Sequence, residues 1–224
     1  MSLLTLAVLS ALPLFTDPLA TMATQSVDGQ LWAGHQVSFG KRDVPFKGEV
    51  RTRTDTWTVA RVRHDDDRIT LSQEACMVVI QPVAGVKVRM DARALPANEF
   101  GFSSNGVDLK GTSEVSWSRE DVDGDGHPGM TVHVDSSVCS GDLYVANRSR
   151  TRARAELTSD ALRGNARVTV DQEVLGAKGA CLSVVASDTH EVVTGPFAYA
   201  PVAATATCRS LMQSGWPIDA AEPG

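Results

Sequence analysis

VRTRTDTWTVARVR, residues 50–63, changes side-chain character at every step. Val50, Thr52, Thr54, Thr56, Thr58, Ala60 and Val62 fall on one face, and Arg51, Arg53, Asp55, Trp57, Val59, Arg61 and Arg63 on the other. Successive side chains of a strand point to opposite faces, so this stretch fits a strand with one sheltered and one wet face. HDDDR (64–68) reads as a turn and ITLSQEACMVVI (69–80) as the returning strand of a hairpin.

The pattern continues. Strands are predicted over 86–94, 112–118, 130–136, 142–157, 165–175, 180–187 and 191–202, with turn signals at Asn105-Gly106, Gly141-Asp142, Gly164-Asn165 and Ser187-Asp188. No long amphipathic helix separates them. The expected fold is all-β: a single antiparallel β-barrel or β-sandwich domain of roughly eight to ten strands. The domain is placed over residues 24–210, followed by a loop-like tail, 211–224, in which Trp216 is a candidate anchor. Small residues on the inward faces at 50–62 and 86–94 would leave room for a cavity.

Leu3 to Phe15 is an apolar run, broken by Pro13 and followed by Pro18 and by Thr21-Met22-Ala23. That is too short to span a bilayer and suits a signal peptide over residues 1–23. A secreted or periplasmic protein is therefore expected, and no other segment reaches transmembrane length. Aromatics are 5% of the chain and arginines stud the alternating faces, which argues against an outer-membrane barrel. The four cysteines, Cys76, Cys139, Cys181 and Cys208, suit two disulfides in an exported chain. Keeping each bridge within one half of the chain favours Cys76–Cys139 and Cys181–Cys208, although any of three connectivities fits the spacing. A net charge of −6 gives no bulk attraction for nucleic acid or anionic lipid, and neither is an expected partner.

Two stretches could carry chemistry. EDVDGDGHPGM (120–130) places Asp121, Asp123 and Asp125 at alternate positions before Gly126. This resembles the start of an EF-hand calcium loop, whose hard oxygen ligands converge as the chain curls. The twelfth position is Val132, where that pattern needs a bidentate glutamate. A structural Ca²⁺ would need help from Glu120, Asp135 or the His127 carbonyl; otherwise the loop is an acidic turn. The second stretch is an arginine ladder. Arg148, Arg150, Arg152 and Arg154 share one strand face, and Arg51, Arg53, Arg61 and Arg63 another. On an outer face they would pair with carboxylates such as Asp171 and Glu173. Turned inward, or gathered in a patch, they would hold a carboxylate, phosphate or sulfate through the planar guanidinium fork.

His35, His64, His127, His133 and His190 show no metal spacing, and no nucleophile or phosphate-loop motif occurs. Asn147-Arg148-Ser149 matches the glycosylation sequon. The function expected is a non-enzymatic binding protein, its partner a small apolar or amphipathic molecule held in the barrel. The alternatives are a structural or adhesive module that binds another surface protein, stiffened by disulfides and calcium, and a β-barrel enzyme acting on a small molecule or glycan. The enzyme would need converging carboxylates or a His–carboxylate pair.

Overall fold

The structure is a computed structural model that describes residues 27–44, 48–65, 67–83, 85–104, 108–137 and 139–220. The predicted leader and the Asn105-Gly106 turn lie outside the described residues. The elements are β1 (Leu31–Val44), β2 (Gly48–Asp65), β3 (Arg68–Ile80), β4 (Lys87–Arg89), β5 (Asn98–Ser104), β6 (Leu109–Trp117), β7 (Met130–Asp135), β8 (Gly141–Leu157), β9 (Leu162–Lys178), α1 (Leu182–Val185), β10 (Thr189–Val202) and α2 (Cys208–Ser214).

All ten strands belong to one antiparallel sheet in the order β4-β7-β8-β6-β5-β3-β2-β1-β10-β9, and β9 also pairs with β8. That last pairing closes a ring of eight strands, so the fold is a barrel. Closure removes most sheet edges and their unpaired N–H and C=O groups. β6 and β7 follow one another along the same edge of β8: β7 pairs with residues 141–145 and β6 with residues 147–155. Strand β4 is added outside β7.

Period and register decide what faces inward. At one end the inward rows are Trp32, Ala60, Val62, Ile69, Leu71, Phe100, Phe102, Leu109, Ala153, Ala155, Leu162 and Phe197, all buried in one cluster. The Phe100 and Phe102 rings lie 4.3 Å apart and Phe197 packs 6.0 Å from Phe102. Gly111 stands opposite; a Cβ there would meet the Phe102 ring at 2.5 Å, so the ring needs a glycine across from it. Tyr199 closes this plug, its Oη donating to Gln73 Oε1 at 2.6 Å. Burial pushes the Tyr199 phenol up to about 12. The unfolded phenol ionises near 10, so folding stability is full below that pH and falls as pH rises toward 12. Alkaline absorbance titration of wild type against Tyr199→Phe should therefore show the Tyr199 phenolate appearing only near pH 12, or abruptly on unfolding.

The outer wall of β1, β2 and β10 is covered by the C-terminal segment. Cys76–Cys208 ties α2 to β3. From there the chain crosses the barrel: Trp216 Nε1 donates to the Gly34 carbonyl at 3.2 Å, and Ile218 packs on Ala161 and Ala198. The Arg163 guanidinium then donates to the Asp219 carbonyl at 3.2 Å. Under this strap His35 is only 5% exposed and stacks 4.7 Å from Trp57. Its Nδ1 accepts the Ala220 N–H at 3.0 Å, which leaves Nε2 to carry the proton, 3.4 Å from Asp55 Oδ1. Burial alone would raise the Asp55 pKa, but hydrogen bonds from Arg53 and Gln81 and the Arg53 charge hold it below the ordinary value. Among the described residues no helix is long and apolar enough to cross a membrane.

Four expectations are corrected. The disulfides are Cys76–Cys208 and Cys139–Cys181, not Cys76–Cys139 and Cys181–Cys208. Register explains the second: Asp142 pairs with Lys178, so the residues just outside that pair, Cys139 and Cys181, come within 5.8 Å between Cα atoms. Residues 180–187 form a turn and α1, because Cys181 lies in the connection from β9 to β10. Of 86–94 only Lys87–Arg89 is strand; Asp91 then caps a 3₁₀ turn, accepting the Arg93 N–H at 3.0 Å. The tail is not all loop, since α2 runs to Ser214. Two strands, β1 and β5, go unpredicted.

Candidate functional site

The half of the barrel opposite the aromatic plug has a different lining. The inward rows there are Gln36 and Ser38 from β1, Thr52, Thr54, Thr56 and Thr58 from β2, and Asn98, Ser113, Asn147, Ser149 and Thr151 from β5, β6 and β8. Each is half-buried, whereas the inward rows of the plug are buried. Inward residues of a filled barrel lose their water contact, so partial exposure along every row marks this end as open. At its rim lies a groove of about 900 Å³ whose lining includes Trp117, Glu120, Asn147, Arg148, Gln172 and His190. A smaller cavity of about 360 Å³, lined by Trp32, Leu157 and Pro201 among others, sits at the plugged end.

The same rim carries the aspartate loop. β6 stops at Trp117 and β7 starts at Met130 on one edge of β8, so residues 118–129 must leave the wall and return to it. The return is pinned by Val122 N–H to the Gly129 carbonyl and Gly129 N–H to the Glu120 carbonyl, both 2.9 Å. Gly129 has φ +76°, and a Cβ there would collide with the Val145 carbonyl, so no other residue fits without strain. Inside the loop Asp121 accepts the N–H groups of Gly124, Asp125 and Gly126 at 2.8–3.1 Å. Asp125 accepts the His127 N–H and the Thr131 hydroxyl, and Asp123 Oδ2 accepts the Thr131 N–H. The Thr131 hydrogen bond, the His127 N–H and the nearby His127 and His133 side chains keep Asp125 below the usual carboxylate range, against the opposing effect of burial.

Three carboxylate oxygens, one from each of Asp121, Asp123 and Asp125, lie within 4.8 Å of one another. Asp123 Oδ1 is enclosed and has no hydrogen-bond partner among the described residues. Two of the auxiliary ligands are otherwise engaged. The Glu120 carboxylate accepts from the Ser118 hydroxyl at 2.5 Å, and Ser140 donates to Asp135 at 3.3 Å. The His127 ring stacks on Tyr144 at 4.1 Å, and Val132 is buried beside Met130 and Val145. The triad thus supplies hard oxygen donors without the bidentate twelfth ligand of an EF-hand.

The arginines lie on the outer wall, not in the lumen. Arg148, Arg150, Arg152 and Arg154 alternate with the inward Asn147, Ser149, Thr151 and Ala153, so all four are exposed. Arg148 Nε donates to Glu114 at 2.7 Å; Arg150 sits 3.8 Å from Glu114 and 4.0 Å from Asp171, and Arg154 3.8 Å from Asp108. Glu173 pairs instead with Arg119 at 2.6 Å. Arg53 chelates Asp55 at 2.9 and 3.0 Å and lies over the Phe39 ring, while Arg61 reaches the Gly29 carbonyl and Arg63 reaches Glu99. Arg51 is exposed on the same face. Among the described residues, the exposed His–carboxylate pairs on this outer surface are His133–Asp142 at 2.7 Å and His190–Asp171 at 2.6 Å, beside the buried His35–Asp55 pair under the strap. The Asn147 amide of the sequon faces the lumen and donates to Ser149 Oγ at 2.9 Å.

Sequence reasoning missed the lumen residues of β1, β5 and β9; only the threonine row at 52–58 stood out as an alternating signal. Comparison with known protein families, with curated proteins and with solved structures gave no match. Fold and site together define a closed antiparallel β-barrel with two disulfides, plugged by aromatics at one end and polar at the other.

Proposed function

We propose that this chain is an exported, non-enzymatic binding protein that takes a small amphipathic or polar molecule into the open end of its barrel. The observation that carries the reading is the half-exposed row of hydroxyl and amide side chains above a closed aromatic floor. Binding sites combine an enclosed wall with a few convergent polar groups, and the groove at the rim gives an entry. Two disulfides suit the oxidising compartment that an exported protein meets. A wholly apolar ligand is disfavoured, because it would strip water from those groups without replacing its hydrogen bonds. The test is native mass spectrometry of protein purified from its own host. An organic adduct lost on denaturation supports the reading; a bare polypeptide from gentle purification overturns it.

A second reading, a calcium-stabilised structural module, is favoured by the unpartnered Asp123 Oδ1 within the triad. Three carboxylates with few further ligands would hold Ca²⁺ weakly, with Kd about 10⁻⁴–10⁻³ M as in extracellular modules. Calcium at ten times that Kd should then raise folding stability by about 1.4 kcal/mol. Asp123→Asn should abolish the shift in Tm while leaving the calcium-free Tm nearly unchanged. A wild-type Tm indifferent to calcium would make the loop a turn only.

A further inference from the structure

We infer that the molecule held in this barrel is an uncharged, hydroxyl-rich compound of the saccharide or polyol class. This rests on the binding-protein reading above and narrows it. Among the described residues of the ring strands, the charged side chains on the inward rows of the open half are Arg42 and Glu191. They face each other at the rim and form an ion pair with one another. Below them the rows carry threonine, serine, glutamine and asparagine, interspersed with Val78, Ile80, Val115, Val168, Val170 and Val193, and none of these is charged. An ionised ligand group brought there would lose its hydration and meet no counter-charge. The arginines that suit a carboxylate or phosphate stand on the far side of the wall.

The polar groups are matched to hydroxyls. Three side-chain amides each donate to a neighbouring hydroxyl: Gln36 to Ser38 at 3.1 Å, Asn98 to Ser113 at 2.8 Å and Asn147 to Ser149 at 2.9 Å. In each pair the serine hydrogen and the amide oxygen have no other partner among the described residues. Each pair therefore offers one donor and one acceptor side by side, which is what a sugar hydroxyl needs, being both. Trp117 stands directly across from Asn147 in the register. Its indole N–H is taken by the Val145 carbonyl at 2.9 Å and its ring packs on the Met130, Val132 and Val145 cluster, so what it adds to the rim groove is apolar ring surface for C–H groups, not a hydrogen bond.

The test uses ¹⁵N-labelled full chain titrated with neutral maltotriose, chitotriose and xylotriose, and in parallel with trigalacturonate and decanoate. Expected is saturable movement of the Thr54, Thr56, Ser113 and Ser149 amides with at least one neutral trisaccharide and none with the two anions. Ser149→Ala should weaken that binding about tenfold. Thr56→Lys should abolish it, with folding of both variants checked by their spectra. Binding of an anion in the lumen, or of no neutral probe, overturns the inference. An anionic or apolar adduct on host-purified protein would overturn it while sparing the carrier reading; a bare polypeptide would remove both.

Discussion

Replacing Cys76 and Cys208 together by alanine should lower folding stability by about 3–5 kcal/mol. The bond joins residues 132 apart in sequence, against 42 for Cys139–Cys181. Loop-closure entropy grows with the logarithm of the loop, so the longer crosslink restricts the unfolded chain more. It also holds the strap in place. Once α2 is untied, only the non-covalent contacts of Trp216 and Ile218 with the barrel hold the strap, and its loss would wet His35 and Asp55, which are buried beneath it. Urea unfolding of the double variant, beside a Cys139→Ala, Cys181→Ala pair, checks this. The first pair should lose more stability, and a protease should then cut within 203–220 before the barrel opens. Equal, small losses from both pairs would mean that the strap does not depend on its bond.

How much of this was legible depended on whether one face of each strand stays wet. At 50–63 the threonines turn inward and the arginines outward, so alternation was visible and the strand was placed. In β1 both faces are covered. Trp32 and Gly34 face the plug, while Ala33, His35 and Val37 are buried on the opposite face of the strand, with His35 under the strap. With no wet face, no alternation marks the strand. β5 is short and interrupted by Gly101. The disulfides were misassigned because the pairing of β8 with β9 brings Cys139 to Cys181 across the two halves of the chain, and that register is not visible in the sequence. In the aspartate loop the residue types were visible, but not that Glu120 would turn to Ser118 and His127 to Tyr144. The lumen could not be read either, since Asn98, Ser113 and Ser149 lie on three strands and meet only after the barrel closes.

Phe102→Ala should cost about 3–5 kcal/mol, a loss comparable to that of the strap bond. Phe102 has no exposed surface, and its ring fills the space between Phe100, Phe197 and the bare backbone of Gly111. Gly111, across from the ring, has no side chain with which to fill the gap. The complementary change tests the same fit. Gly111→Ala in the wild type pushes a methyl against the ring and should destabilise by about 1–3 kcal/mol. Placed in the Phe102→Ala background, the same methyl enters the cavity and should restore part of the loss, giving a coupling energy larger than the cost of Gly111→Ala alone. The plug also keeps Tyr199 dry. If Phe102→Ala admits water, the Tyr199 phenol should titrate below its wild-type value of about 12. Additive effects at 102 and 111, with an unmoved Tyr199, would mean that the plug is not the tight floor that the open half of the barrel requires.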